Sequence, residues 1–126
     1  MKKILVVDDD PNVRFLISEL LSRGHYEVMQ AVDGAMAMDQ VHKHRPDLVV
    51  LDIMMPGIDG IEVCKRIKGD PALKQIKVIM VTAKTEGKDV QAGLAAGADR
   101  YITKPFRIGE LSSIIKELTS EREEAI

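Results

Sequence analysis

Four short apolar runs, each ending in a reactive polar residue, constrain this chain more than any other feature. Ile4-Leu5-Val6-Val7 meets Asp8-Asp9-Asp10, Leu48-Val49-Val50-Leu51 meets Asp52, and Val78-Ile79-Met80-Val81 meets Thr82. The fourth, Tyr101-Ile102, leads through Thr103 to Lys104-Pro105. A strand buried on one face alternates apolar and polar residues. These runs do not alternate, as expected of a parallel sheet covered on both faces. Parallel strands place their carboxyl ends along one edge, where open α/β sheets carry their sites. Carboxylates, a hydroxyl and an ammonium group then converge on one small volume, suited to a divalent cation and a phosphoryl group.

Helical periodicity fills the intervals. Val13, Leu16, Ile17, Leu20 and Leu21 recur at i, i+3, i+4, i+7 and i+8 and predict one apolar helix face. Arg23-Gly24-His25 closes that helix, with Gly24 suited to a left-handed cap. Tyr26 to Ala31 alternates and predicts an edge strand; residues 34–44 predict a helix, and Pro46-Asp47 opens the central strand. Gly57-Ile58-Asp59-Gly60 reads as a turn whose glycines serve backbone geometry, followed by a helix from Ile61 to Lys68. Asp70-Pro71 opens another short helical turn. A helix over about 86–96 stops at Gly97, and Ile108, Leu111, Ile115 and Leu118 form the stripe of a last helix. The charged end, 119–126, is expected to fray. Five strands alternating with five helices imply right-handed crossovers and a doubly wound α/β sheet with helices on both faces. Strand order is left open by this pattern.

Composition narrows the class. A chain of 126 residues supports one core, so a single domain over 1–126 is expected. With 45% apolar and 30% charged residues, neither a disordered chain nor a membrane span fits. Two lysines precede the first apolar run, but that run is far shorter than the roughly 7–15 residues of a signal sequence, so a cytoplasmic location is expected. The lone Cys64 forms no internal disulfide, in keeping with a reducing compartment. A net charge of −2 with interspersed signs gives no nucleic-acid footprint.

The site chemistry follows from residue types. Asp8, Asp9 and Asp52 on neighbouring strands would repel one another unless a cation or a proton intervened. An all-oxygen set with few protein ligands suits Mg²⁺. A carboxylate is a competent nucleophile for phosphoryl transfer, giving an acyl phosphate. Lys104 offsets charge and grips a phosphoryl oxygen, and Thr82 donates a hydroxyl to another. Asp10 before Pro11 reads instead as a helix N-cap. His25, His42 and His44 lack ligand spacing, Cys64 reads as a core thiol, and Met29, Met36, Met38 and Met80 read as packing.

Jointly, Leu5-Val6-Val7-Asp8-Asp9-Asp10-Pro11, Leu51-Asp52-Ile53-Met54-Met55-Pro56-Gly57, Val81-Thr82-Ala83 and Lys104-Pro105-Phe106 resemble the response-regulator receiver domains of two-component signalling over essentially the whole chain. The resemblance implies the flavodoxin-like strand order 2-1-3-4-5. It implies that Asp52 accepts phosphate from a histidine kinase's phosphohistidine, with Asp9 a direct Mg²⁺ ligand, Asp8 a water-mediated one and the Met54 carbonyl a further contact. Thr82 and Tyr101 match the switch pair, whose movement re-forms the face around the fourth and fifth helices and changes partner binding. Lys104-Pro105 matches a cis peptide. Met54 and Lys84 match the positions that tune phosphate lifetime. Kinase contacts are expected on the first helix and the loops around Asp52 and Lys104. A downstream target or an output domain, and a phosphorylation-linked dimer, are further partners the family implies, with no direct nucleic-acid or membrane contact by this chain. Two other classes compete with this one. Asp8-Asp9-Asp10 also satisfies the Asp-x-Asp spacing of haloacid-dehalogenase-type Mg²⁺ phosphatases, but no further acidic pair follows Lys104 before the tail, and there is no room for a substrate cap. A pseudo-receiver, binding partners without phosphotransfer, would be expected to lack the acceptor, an acidic ligand or the lysine.

Overall fold

The computed structural model describes residues 1–82 and 87–120, with side chains described for 1–82 and 91–120. Lys84, the expected helix start at Glu86 and the tail 121–126 lie outside the described residues. The elements run β1 (Lys3–Val7), α1 (Pro11–Arg23), β2 (Glu27–Ala31), α2 (Gly34–His44), β3 (Leu48–Asp52), α3 (Gly60–Lys68), β4 (Lys77–Thr82), α4 (Gly87–Ala95), β5 (Arg100–Thr103) and α5 (Ile108–Thr119). All five strands are parallel, in the order β2-β1-β3-β4-β5.

Side-chain alternation splits each inner strand between two cores. Leu5, Val7, Val49, Leu51, Val78 and Met80 face α2 and α3, where Ala37, Val41, Val63, Cys64 and Ile67 meet them. Ile4, Val6, Leu48, Val50, Ile79 and Val81 face α1 and α5, against Ile17, Leu21, Leu111 and Ile115. Each such fully buried aliphatic side chain contributes roughly 1.5–3 kcal/mol. Burial on both faces explains the unbroken apolar runs. β2 and β5, each paired on one side only, are half-exposed. β2 is an edge strand as predicted but does not alternate strictly, since the adjacent Val28 and Met29 pack on opposite faces while Glu27 and Gln30 are exposed. No described helix is long and apolar enough to cross a membrane.

Aspartates open three of the helices. Asp10, Asp33 and Asp59 accept from the backbone N–H of Asn12, Met36 and Glu62 at 2.9, 2.8 and 2.9 Å. With Asp59 as the cap, α3 begins at Gly60, one residue before the predicted start. Gly57 has φ +75, a conformation that favours glycine, and fits the turn. Gly60 is required by space: a Cβ there would overlap the Asp52 carbonyl oxygen.

Three expectations need correction. Leu16 is 55% exposed, because the inward stripe of α1 centres on Ile17 and Leu21 and Leu16 lies about 100° away from Ile17. Gly24 does not adopt the left-handed cap; its φ is −90, and His25 takes the positive φ instead. A Cβ at Gly24 would lie 3.2 Å from the Tyr26 ring, a tight contact that leaves little room for a side chain. Met36 is exposed rather than packed, whereas Met80 is buried and Met29 and Met38 pack against the core.

Candidate functional site: an acidic cluster at the carboxyl edge of the sheet

Register brings the polar strand ends together. Val7 pairs with Leu51 and Asp52 with Val81, so Asp8, Asp52 and Thr82 follow one another across three adjacent strands. Thr82 pairs with Thr103, which places Lys104 next in line, and the Lys104 amide donates to the Thr82 carbonyl at 2.7 Å. Lys104-Pro105 is a cis peptide.

Carboxylate oxygens of Asp8, Asp9 and Asp52 lie within 4.8 Å of one another. Asp8 and Asp52 are only 3% and 5% exposed, while Asp9 is open to solvent. Lys104 Nζ donates to Asp8 Oδ2 at 3.1 Å and stands 3.6 Å from Asp52 Oδ2. Three carboxylates against one ammonium leave a formal charge of −2, which a divalent cation would balance. The donor set is all oxygen and partly open to water, which fits Mg²⁺ rather than a softer ion.

Burial, with the nearby Asp8 charge, pushes the Asp52 carboxyl up to about 6, against the opposing pull of Lys104 and of the Met54 N–H. That N–H donates to Asp52 Oδ1 at 3.2 Å. For Lys104, burial works against the charged form, but the hydrogen bond to Asp8 and the charge of Asp52 outweigh it and raise the pKa. Asp52 thus combines seclusion, which raises its basicity, with one oxygen, Oδ2, turned towards the lysine.

Thr82 is 2% exposed at the end of β4. Tyr101 stands opposite Met80 on β5, half-buried against the core on the α3 side of the sheet. The Met54 side chain is 67% exposed beside the acidic cluster. Cys64 is fully buried, its thiol pushed up to about 11 by burial, and Asp10 caps α1; neither belongs to the cluster. Sequence reasoning missed Arg14, whose Nη1 donates to the Asp8 carbonyl oxygen at 2.7 Å while its Nε donates to Gln30 at 3.2 Å. The available signal was a cation near the start of a helix, where the macrodipole disfavours it. An apolar groove lined by Val13, Leu16, Phe106 and Ile108 opens beside Lys104, with Phe15 64% exposed at its outer edge.

Comparison with known proteins agrees with this geometry. Residues 4–116 match the family model described as the response regulator receiver domain. The chain is 42% identical over 122 residues to the alkaline phosphatase synthesis transcriptional regulatory protein PhoP of Bacillus subtilis, covering 97% of this chain and 50% of that protein. It is 40% identical over 115 residues to the DNA-binding response regulator MtrA of Mycolicibacterium smegmatis, covering 91% of this chain and 49% of that protein. The chain therefore spans about half the length of the curated relatives it matches. Among solved structures, the signal receiver domain of a histidine kinase from Syntrophus aciditrophicus superposes with a TM-score of 0.90 at 34% identity, covering 100% of this chain and 97% of that one. The chemotaxis protein CheY4 of Vibrio cholerae gives 0.88 at 32% identity, covering 94% and 98%. A parallel 2-1-3-4-5 sheet, an acidic cluster facing a lysine at its carboxyl edge and these matches have one meaning: the chain belongs to the response regulator receiver domain family.

Proposed function

We propose that this chain is a phospho-acceptor switch in which Asp52 takes a phosphoryl group from the phosphohistidine of a partner histidine kinase. The observation that carries this reading is the convergence of Asp8, Asp9 and Asp52 within 4.8 Å, with Lys104 Nζ at 3.1 and 3.6 Å from two of them. An Asp52 carboxylate oxygen attacks phosphorus as the P–N bond breaks, and the imidazole nitrogen leaves with the bonding pair. A pKa of about 6 leaves Asp52 mostly ionised at neutral pH, as a nucleophile must be. Mg²⁺, held by Asp8, Asp9, Asp52 and the Met54 carbonyl, would supply neutralising charge to the phosphoryl oxygens. Lys104 exchanges its contact with Asp8 for a phosphoryl oxygen, and the Thr82 hydroxyl donates to another.

The reaction is a self-phosphotransfer and not turnover of a free substrate. Phosphorylation favours a second arrangement in which Thr82 moves to the phosphoryl group and Tyr101 turns inward, altering the α4–β5–α5 face. Partners then read that face: a downstream protein, an output domain of the sort the longer relatives have room for, or a second copy of the chain. The exposed Phe15 and Leu16 beside the Lys104 loop support kinase docking on α1.

Intact mass after incubation with acetyl phosphate tests the proposal, with and without Mg²⁺ and beside Asp52→Asn. One phosphoryl adduct that needs both Mg²⁺ and Asp52 is the expected result. Failure to form either that adduct or a beryllofluoride complex would leave the pseudo-receiver reading in its place.

A further inference from the structure

We propose that Arg14 is a positioning residue for the metal-binding loop: its guanidinium holds the Asp8 backbone carbonyl and thereby sets how Asp8 and Asp9 present their carboxylates to Mg²⁺. The inference rests on the Mg²⁺ reading above. β1 ends its pairing at Val7, although the Asp8 amide still donates to the Ala31 carbonyl at 3.2 Å. The Asp8 carbonyl lies beyond the ladder, and Arg14 Nη1 reaches it at 2.7 Å, the short distance of a charge-assisted bond. The same guanidinium is tied to the edge strand, where its Nε donates to Gln30 Oε1 at 3.2 Å. Gln30 pairs in register with Val6, so the bracket spans α1, β2 and the end of β1. Inside the loop, Asp8 Oδ1 accepts from the Asp10 amide at 2.9 Å, which makes carboxylate orientation depend on the path of the backbone.

Charge alone predicts the reverse of positioning. Arg14 stands near the start of α1, where the helix dipole already disfavours a cation, and its charge would repel an incoming divalent ion. Removing it should tighten Mg²⁺ binding if only electrostatics mattered. Removing it should weaken binding if the bracket orients the loop. The sign separates the two.

Calorimetric titration of MgCl₂ into the whole chain reads that sign, using wild type, Arg14→Ala, Arg14→Lys, Gln30→Ala and, as a charge control on the same helix, Arg23→Ala. Arg14→Ala is expected to weaken binding about tenfold, the scale of a lost outer-shell support. Arg14→Lys recovers part of the loss, Gln30→Ala loses less, and Arg23→Ala does not weaken binding. Melting temperatures with and without Mg²⁺ supply the second readout: the Mg²⁺-induced rise shrinks in Arg14→Ala, whereas a purely structural role lowers both temperatures and keeps the rise. Affinity in Arg14→Ala equal to or tighter than wild type overturns the proposal. If that variant does not fold, unchanged affinity in both Arg14→Lys and Gln30→Ala overturns it. Wild type that takes up no Mg²⁺ overturns the metal reading and this inference with it, a result distinct from loss of the Arg14 effect alone.

Discussion

At the scale of the residue, Asp52 carries the strongest conflict between folding and function. Its carboxyl is buried beside Asp8, and the fold raises its pKa from 3.8 to about 6. Between those values the native state keeps a proton that the unfolded chain has released. The stability contributed by protonated Asp52 is therefore complete below about pH 4 and is lost as pH rises through about 6. Asp52→Asn should be more stable than wild type at pH 7 without metal, by roughly 1–3 kcal/mol. The difference should vanish towards pH 4, and denaturant melts across pH 4–8 measure it. A second expectation concerns Met54, which cannot strongly hydrogen-bond an attacking water. The aspartyl phosphate should outlast that of fast-hydrolysing chemotaxis members, as intact-mass decay of the purified protein would record; rapid loss without a phosphatase would refute this. All the acids of the cluster were legible in the sequence, because three carboxylates at matched strand ends exceed what capping needs. Arg14 was not, since its contact is to a main-chain oxygen fixed only by the tertiary path.

At the scale of the element, the aspartates divide their labour by what they face. Asp10 and Asp59 spend their side chains on the first N–H groups of α1 and α3, at 2.9 Å in both cases. Asp10→Ala and Asp59→Ala should each cost about 1 kcal/mol in denaturant melts. Asp10→Ala should nonetheless keep phosphoryl acceptance, which loss of its neighbour Asp9 would not. Alternation of strands and helices could be read along the chain with errors of a residue or two. Leu16 and Gly24 show why the rest could not. Periodicity identifies an apolar helix face, but which edge of it meets the sheet depends on the neighbouring α5. A glycine after a helix signals a left-handed cap, but here Gly24 has φ −90 and its Cβ position lies a tight 3.2 Å from the Tyr26 ring.

At the scale of the whole molecule, chemistry and anchoring occupy opposite edges of the sheet. Far from the acidic cluster, Lys68 Nζ donates to the carbonyls of Lys74 and Ile76 at 3.2 and 2.7 Å and pairs with Asp99 at 2.9 Å. Asp99 in turn accepts from the Val78 amide at 2.8 Å, so the end of α3, the start of β4 and the turn before β5 are fastened together. Lys68→Met should lower stability by roughly 1–3 kcal/mol, because it takes the ammonium from both carbonyls and leaves the half-buried Asp99 carboxylate with the Val78 amide but no counter-charge. Phosphorylation of Asp52 should survive the change, as intact mass would establish. This fastening left no pattern in the sequence, where Lys68 and Asp99 are separated charges of the kind expected on any surface. Unbroken apolar runs and their alternation with helices pointed to a parallel, doubly covered sheet, and the polar ends pointed to the site's chemical type, because burial on two faces shows in the local pattern and the crossover helices set the strand direction. Tertiary structure alone decided which of those ends are neighbours, how deeply Asp52 is buried and what holds the Asp8 carbonyl. Register and distance arise only when strands far apart in the chain pair side by side.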